Sequence, residues 1–120
     1  MTKNVLLLGL KKDLIAGLTE QVGMSDIQMF GGTGLDDLRT LLAQTHLEHV
    51  FIGGGIDLKT RLEIIREAFQ STDRITVHMK DQISGPEGFV PFVRAVLLGL
   101  KDYEFVASPN ARSEIPPTRR

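Results

Sequence analysis

Val50-Phe51-Ile52-Gly53-Gly54-Gly55-Ile56-Asp57 joins a short apolar run to three consecutive glycines and an aspartate. An apolar run without alternation is typical of a strand that is covered on both faces, as in a parallel sheet. Asp57 can cap a helix that begins directly after it. The stretch therefore predicts a strand that passes through a glycine turn into a helix, which is the repeating unit of an α/β fold.

Three other segments show the same change from a strand to a helix. Val5–Leu8 is also an uninterrupted apolar run, whereas Ile27–Phe30 and Ile75–Met79 mix polar with apolar residues, as strands nearer an edge do. Each predicted strand precedes apolar residues at helical spacing. The four helical stripes are Leu14, Ile15, Leu18 and Val22; Leu35, Leu38, Leu41 and Leu42; Leu58, Leu62, Ile65 and Phe69; and Phe89, Phe92, Val93, Val96, Leu97 and Leu100.

Four strands alternating with four helices predict a three-layer α/β/α fold around a small parallel sheet in the order 2-1-3-4. Right-handed crossovers place the first and fourth helices on one face and the second and third on the other. In architecture this layout resembles a shortened flavodoxin-like or Rossmann-like domain, and such a likeness carries little functional information.

The length suits a single domain, which we place at residues 1–107. Residues 108–120 contain too few apolar side chains to offset the entropy of ordering them, so we expect a flexible tail. Two interpretations are open for residues 103–107, which either extend the last helix or add a short strand. Gly99 marks one possible end of that helix.

Composition restricts the classes of partner. The 120 residues carry a formal net charge of −1, from 14 basic and 15 acidic side chains, so no extended positive field attracts nucleic acid. Cysteine is absent, which excludes disulfides and thiolate catalysis. The early apolar run is too short for a signal segment or a membrane span. We expect a cytoplasmic protein that binds neither nucleic acid nor membranes.

Most glycines fall at the predicted carboxyl ends of the strands, where open α/β sheets bind ligands. Glycine-rich turns at that edge can present backbone amides to an anion. The candidate site for a small anionic ligand comprises Gly9, Lys11, Gly53, Gly54, Gly55, Ser84 and Gly85. Asp36 and Asp57 weaken this hypothesis, because each puts a carboxylate at a helix start. The alternative for Gly53–Gly55 is a tight turn that requires positive φ.

Known nucleotide motifs fit poorly, and the cofactor is not identified by the sequence. Gly31-Gly32-Thr33-Gly34 resembles the glycine turn of dinucleotide-binding folds, but it follows the second strand and lacks the third glycine. Thr33 can equally cap the next helix. A phosphoacceptor domain needs acidic residues where this chain has Lys11-Lys12 and Gly53-Gly54.

His78 and Lys80 are the candidates for catalysis. They lie on the polar side of the fourth predicted strand near the ligand edge, and histidine titrates close to neutral pH. The alternative for His78 is a structural histidine that is hydrogen-bonded on an edge strand. Ser84 lacks the motif of a nucleophile elbow, and the capping-box spacing of Ser84-Gly85-Pro86-Glu87 explains it better.

His46 and His49 have a spacing that metal sites use. However, both fall where the second helix should end, and histidine is common there as a partner of the helix dipole. We therefore predict no metal site.

Two functional hypotheses follow from these observations. The first is a noncatalytic module that binds a small anionic or nucleotide-like ligand, or a protein partner, at the glycine-rich edge. The second is a small enzyme in which His78 or Lys80 transfers a proton on an anionic substrate held by the Gly53–Gly55 loop. We also expect a homo-oligomer, since an open edge at the fourth strand can pair with a second copy.

Overall fold

The computed structural model describes residues 2–9, 17, 20, 22–83 and 85–106. Its strands are β1 (Lys3–Leu8), β2 (Ile27–Gly32), β3 (His49–Ile52) and β4 (Thr76–Met79). Its helices are α1 (Leu35–Gln44), α2 (Leu58–Ser71) and α3 (Phe89–Val106), the last preceded by a 3₁₀ turn at Pro86–Gly88. Most of the first predicted helix, Lys11, Ser84 and the predicted tail at 108–120 lie outside the described residues.

The sheet is parallel, and its order β2-β1-β3-β4 confirms the predicted topology. Val5 in β1 is level with Met29 on one side and with His49 on the other, so β1 is central. In β3, Phe51 is level with His78 of β4. The apolar runs of β1 and β3 are fully buried because helices cover both of their faces.

One apolar cluster lies on each face of the sheet, which gives the predicted three layers. The first cluster joins the sheet to α1 and α2 through Leu6, Leu8, Leu38, Val50, Ile52 and Ile64. The second joins the opposite face to α3 and to the end of the first predicted helix through Val5, Leu7, Val22, Phe51, Val93 and Leu97. Alternate residues of each central strand serve the two clusters, as the pleat of a strand requires.

The apolar stripe predicted for the third helix is not the face that α2 buries. Ile64 and Ala68 are the buried residues of α2, whereas Leu58, Leu62 and Phe69 are 58%, 53% and 49% exposed. Two apolar faces therefore run along this helix, and the smaller one contacts the sheet. The larger one lies at the surface.

Helix α3 continues to Val106, so residues 103–106 extend the last helix instead of forming a strand. Gly99 lies inside that helix, and the prediction that it marks the helix end is wrong. A broad apolar face explains the difference, because Val93 and Leu97 are buried against the sheet. Burial of that face outweighs the low helix propensity of one glycine.

Gly99→Ala should stabilise the fold by about 0.5–1 kcal/mol, because glycine in a helix interior costs that much relative to alanine. Apart from the helix's own backbone and the two chain neighbours, no described atom lies within 4 Å of the added Cβ. Urea unfolding followed by circular dichroism measures the gain. A urea midpoint lower for Gly99→Ala than for the unchanged protein would show that this position has no room for the added methyl group.

Candidate functional site

The structure brings Gly9 and Gly53 together at the carboxyl edge, where β1 and β3 end side by side. The backbone N–H of Gly53 donates to the carbonyl of Leu8 at 2.8 Å. The backbone N–H of Gly9 donates to the carbonyl of Gly32 at 3.1 Å. These two glycines therefore continue the strand ladder, and their N–H groups are already used by the sheet.

Gly54 is required by close packing and not by its dihedral angle. Positive φ is found at Gly23 and Gly85 and at no other residue that the structure describes, so the positive-φ explanation for Gly53–Gly55 is wrong. A Cβ at Gly54 would collide with the carbonyl oxygen of Asp81 and lie 3.0 Å from Gln82 Cα. The loop after β4 thus lies directly over Gly54, and the missing side chain makes room for protein backbone.

Asp57 occupies the amino end of α2, as predicted. Its Oδ2 accepts a hydrogen bond from the Thr60 backbone N–H at 3.2 Å, and its Oδ1 accepts one from the Thr60 hydroxyl at 2.6 Å. These bonds favour the charged form and lower the pKa of the Asp57 carboxyl below its ordinary value of 3.8. A carboxylate therefore already lies at the positive end of this helix dipole.

Thr33 does not cap α1, and that prediction is wrong. The N-cap is Gly34, which is extended and has no side chain to bond with. Asp37 in the first turn reaches back instead, and its Oδ2 accepts from the backbone N–H of Thr33 at 2.7 Å. A Cβ at Gly32 would lie 2.5 Å from Asp37 Cβ. The glycine at this position accommodates the protein's own carboxylate, which would repel a bound pyrophosphate.

Gly85 begins the 3₁₀ turn with φ of +75°, a conformation that favours glycine. A Cβ at this position would collide with the carboxylate of Glu87. Glu87 therefore folds back toward Gly85 and brings a further negative charge to the loop after β4. Ser84, the other half of the predicted capping box, lies outside the described residues.

Lys80 directly follows β4 and is 5% exposed. Its Nζ donates to the carbonyl oxygen of Asp81 at 3.1 Å and lies 3.7 Å from Asp81 Oδ1. A buried ammonium needs such partners, because its desolvation is otherwise costly. The hydrogen bond from Lys80 to Asp81 therefore stabilises the loop that covers Gly54, and the ammonium group points toward that loop.

His78 lies in the middle of β4 and its ring stacks on Phe51, with ring centroids 4.9 Å apart and planes inclined by 27°. Its Nε2 lies 2.8 Å from the hydroxyl oxygen of Thr76. Burial lowers the pKa of His78 below its usual value of 6.5, because a charged ring loses hydration there. This environment fits the structural alternative, a hydrogen-bonded histidine on an edge strand.

His49 is a site residue that sequence reasoning misplaced. It is the first residue of β3 and is 8% exposed, whereas α1 has already ended at Gln44. Its Nδ1 lies 2.6 Å from the Thr76 hydroxyl, which therefore stands between His49 and His78. One hydroxyl can donate to one ring and accept from the other. The only signal in the sequence was the apolar run that begins directly after His49.

His46 does not join His49 in a metal site. Its Nε2 lies 3.8 Å from Glu48 Oε2, and the side chain is 65% exposed. His49 instead faces Thr76 on the neighbouring strand. Within the described part of the chain, no three potential ligands are grouped closely enough to hold a metal ion.

Three large apolar side chains are exposed at the carboxyl edge beside β4. Leu58 begins α2, Met79 ends β4, and Ile83 lies in the loop that follows; they are 58%, 42% and 95% exposed. Single exposed apolar side chains are ordinary, but three at one end of a sheet are a feature of contact sites. We call these three residues the carboxyl-edge patch.

No family model, curated protein or solved structure matches the chain. The likeness to flavodoxin-like and Rossmann-like domains therefore stays a prediction from architecture. Among the helices that the structure describes, none has the length and apolar character needed to cross a membrane.

His78 should make the fold less stable as the pH falls below about 6.5. Its folded-state pKa is lower than 6.5, whereas the unfolded chain has a pKa near that value. Between the two values the unfolded state binds more protons, so the free energy of unfolding decreases with falling pH and levels off above 6.5. Urea unfolding between pH 5 and 8 tests this, with His78→Gln expected to reduce the slope.

The matched control is His46→Gln, which changes a histidine whose side chain is 65% exposed. It should retain the slope of the unchanged protein. An equal slope in the unchanged protein and in His78→Gln would show that His78 does not cause the pH dependence.

Proposed function

We propose that this protein is a noncatalytic binding module that recognises a protein partner at the carboxyl edge of its sheet. One observation carries the proposal. The chain's own groups fill the positions at this edge that an anion would use, while the carboxyl-edge patch is left exposed. Burial of apolar surface is the main source of affinity in such contacts.

The electrostatics of the edge favour a protein over a small anion. Asp37 and Asp57 occupy the amino ends of α1 and α2, and Glu87 lies in the loop after β4. The ammonium of Lys80 is buried against Asp81. Asp57 directly precedes Leu58 of the patch, and Glu87 contacts the loop that carries Ile83. Asp37, in contrast, packs against Gly32 at the end of β2, the opposite edge strand. A patch with Asp57 and Glu87 nearby suits an apolar segment with a basic flank, because the charges are complementary. The hypothesis of a nucleotide-like ligand is less well supported, because these carboxylates would repel its phosphates.

Photo-crosslinking tests the proposal directly. A photoreactive phenylalanine replaces Ile83, which is 95% exposed, and in a control it replaces Thr40, an exposed residue of α1. The protein is irradiated in the cells that naturally produce it, and the adducts are identified by mass spectrometry. We expect one discrete adduct from position 83 that is absent from position 40.

Competition makes the result specific to the patch. Excess unmodified protein should suppress the adduct, and excess Ile83→Ser protein, which is altered only in the patch, should not. Failure of the unmodified protein to compete would overturn the proposal. So would a thermal stabilisation by phosphate or nucleotides of about 2.7 kcal/mol at a hundredfold excess over their dissociation constant, where the same ligand also suppresses the adduct, since the two results together would assign the edge to an anion.

A small enzyme is the alternative, and the lowered pKa of His78 together with the buried Lys80 favours it. Perturbed titratable groups gather at active sites, although structural clusters contain them too. Here Lys80 already contacts Asp81, and His78 already contacts Thr76 and Phe51. For any turnover found, His78→Ala and Lys80→Ala should both lose activity. Unchanged rates in both variants would exclude this alternative.

A further inference from the structure

A second apolar surface runs along α2. It shares Leu58 with the carboxyl-edge patch but extends along the helix as far as Phe69. It is the stripe of Leu58, Leu62, Ile65 and Phe69, which we call the α2 stripe. We infer that the α2 stripe and the open edge of β4 bind a second copy of this chain, which gives a dimer with twofold symmetry. This inference does not rest on the proposed function, because it concerns the surface along α2 and the outer edge of β4.

The α2 stripe faces away from the rest of the protein, on the side of β4. Arg39 in α1 donates to Glu67 Oε1 at 3.3 Å, which places α1 on the Glu67 side of α2. Ile64 and Ala68 face the sheet. At about 100° per residue, the centre of the α2 stripe lies on the order of 170° from Glu67. Because α2 connects β3 to β4, this side of the helix lies above the edge strand.

The outer edge of β4 presents backbone groups that the described sheet does not use. The N–H groups of Thr76 and Lys80 donate toward β3, to the carbonyls of Glu48 and Ile52. Successive residues of a strand point their backbone groups to opposite sides, so Val77 and Met79 direct theirs away from β3. Within the described residues no strand lies beyond β4. An edge of this kind pairs readily with another strand.

The α2 stripe is complementary to itself. Its residues are spaced by four, three and four positions, so the pattern reads the same in both directions along the helix. An antiparallel copy places Leu58 against Phe69 of the second copy and Leu62 against its Ile65. A symmetric dimer requires such a self-complementary surface, which an unrelated partner does not.

The side chains that flank the α2 stripe are basic. At about 100° per residue, Arg66 and Lys59 lie about 70° and 90° from the centre of the stripe, whereas Glu63 lies about 130° away, toward Glu67 and α1. No interhelical ion pair therefore supports the contact, which rests on apolar burial and on the strand edge. The formal net charge of −1 imposes little repulsion between whole molecules.

Strand pairing and helix packing can occur in the same dimer. Adjacent strands are about 4.8 Å apart. If β4 pairs with β4 of the second copy and α2 lies above the gap between β3 and β4, the two α2 axes come about 10 Å apart. That separation is close to the 8–10 Å of packed helices. A twofold axis normal to the sheet therefore satisfies both contacts.

The exposed area is of the right order for a dimer. Leu58, Leu62, Phe69 and Met79 together leave on the order of 400 Å² of apolar surface exposed in each copy. This is about half of what each partner buries in a standard interface. The paired strand edge and the flanks of α2 supply the remainder. The α2 stripe and the open sheet edge are thus covered together.

The mass in solution tests the inference. Light scattering and sedimentation equilibrium of the full chain should give about twice 13.3 kDa at micromolar concentration. Leu62→Glu should weaken self-association at least tenfold, because it puts a charge into the apolar contact. Ala43→Glu adds the same charge at an exposed position of α1 and should leave the dimer unchanged.

A second pair of variants tests the β4 edge. Met79→Pro removes a backbone N–H that points away from β3, so each copy keeps its own ladder. It should weaken the dimer more than Met79→Ala, which removes the side chain alone. Circular dichroism checks that both variants fold.

Two results would overturn the inference. One is a mass of 13.3 kDa up to several hundred micromolar. The other is a dimer that survives both Leu62→Glu and Met79→Pro, since it would use another surface. Leu58 and Met79 belong to both contact surfaces. Leu62, in contrast, belongs to the α2 stripe alone, and Ile83 belongs to the carboxyl-edge patch alone. Leu62→Glu therefore tests the dimer, and an adduct from Ile83 whose second component is a different protein tests the partner site, so the two proposals can fail separately.

Discussion

Phe51→Ala should lower the free energy of unfolding by about 3–5 kcal/mol, the usual cost of deleting a buried phenylalanine. Phe51 is fully buried in the central strand β3. Its ring stacks on His78 and meets Phe92 of α3 edge-on, with centroids 5.9 Å apart. The substitution therefore leaves a cavity between the sheet and α3. A single domain has only about 5–15 kcal/mol of stability in total, so a large fraction would be lost.

Urea unfolding measures this loss, and Leu98→Ala is the control. Leu98 lies on the same helix as Phe92 but is 43% exposed, so its removal should change stability by well under 1 kcal/mol. The His78 ring also loses its stacking partner in Phe51→Ala. Its pKa should then move up toward 6.5, which a nuclear magnetic resonance titration can follow. Similar losses in the two variants would contradict the central role of Phe51.

Gly54→Ala should destabilise the fold by about 1–3 kcal/mol, and Gly54→Val by more. The added Cβ collides with the carbonyl oxygen of Asp81 and lies 2.9 Å from its carbon. Protein backbone cannot swing away as the end of a flexible side chain can. The loop after β4 would have to move, and the hydrogen bond from Lys80 Nζ to the Asp81 carbonyl oxygen would be strained.

Gly99→Ala is the matched control for Gly54→Ala, since the same methyl group is added in open space. The two changes in stability should have opposite signs. If Gly54→Ala is neutral, the loop over Gly54 is not closely packed in solution, and the glycines there are again available to a ligand. If Gly54→Ala is destabilising as expected, a loss of ligand binding in a Gly54 variant would reflect damage to the fold and not the loss of a ligand contact.

The candidate site was only partly predictable. The sequence predicted that Gly9 and Gly53 lie at one edge and that Asp57 caps the helix, because these features depend on strand ends and on local spacing. It did not reveal that Asp81 covers Gly54 or that Thr76 joins His49 to His78. Gly54 and Asp81 are 27 positions apart, and so are His49 and Thr76, so no local pattern encodes these two contacts.

The misassigned face of α2 has a similar cause. Leu58, Leu62 and Phe69 form the more hydrophobic stripe, and periodicity alone assigns that stripe to the core. The structure buries Ile64 and Ala68 instead. Where a helix has two apolar faces, the position of its neighbours decides which one is buried. Here α1 packs on the Glu67 side of α2, and the α2 stripe on the other side therefore faces the surface.

By itself, the sequence determined the alternation of strands and helices, the two central strands and the order of the sheet. The spacing of apolar residues is a local property of the sequence, and the right-handedness of crossover connections leaves few possible topologies. Only the tertiary structure decided what lies above Gly54, which hydroxyl lies beside His49 and which apolar side chains are left outside. Those outcomes depend on distances between segments that are remote in the chain, and packing sets these distances only when the whole domain has formed.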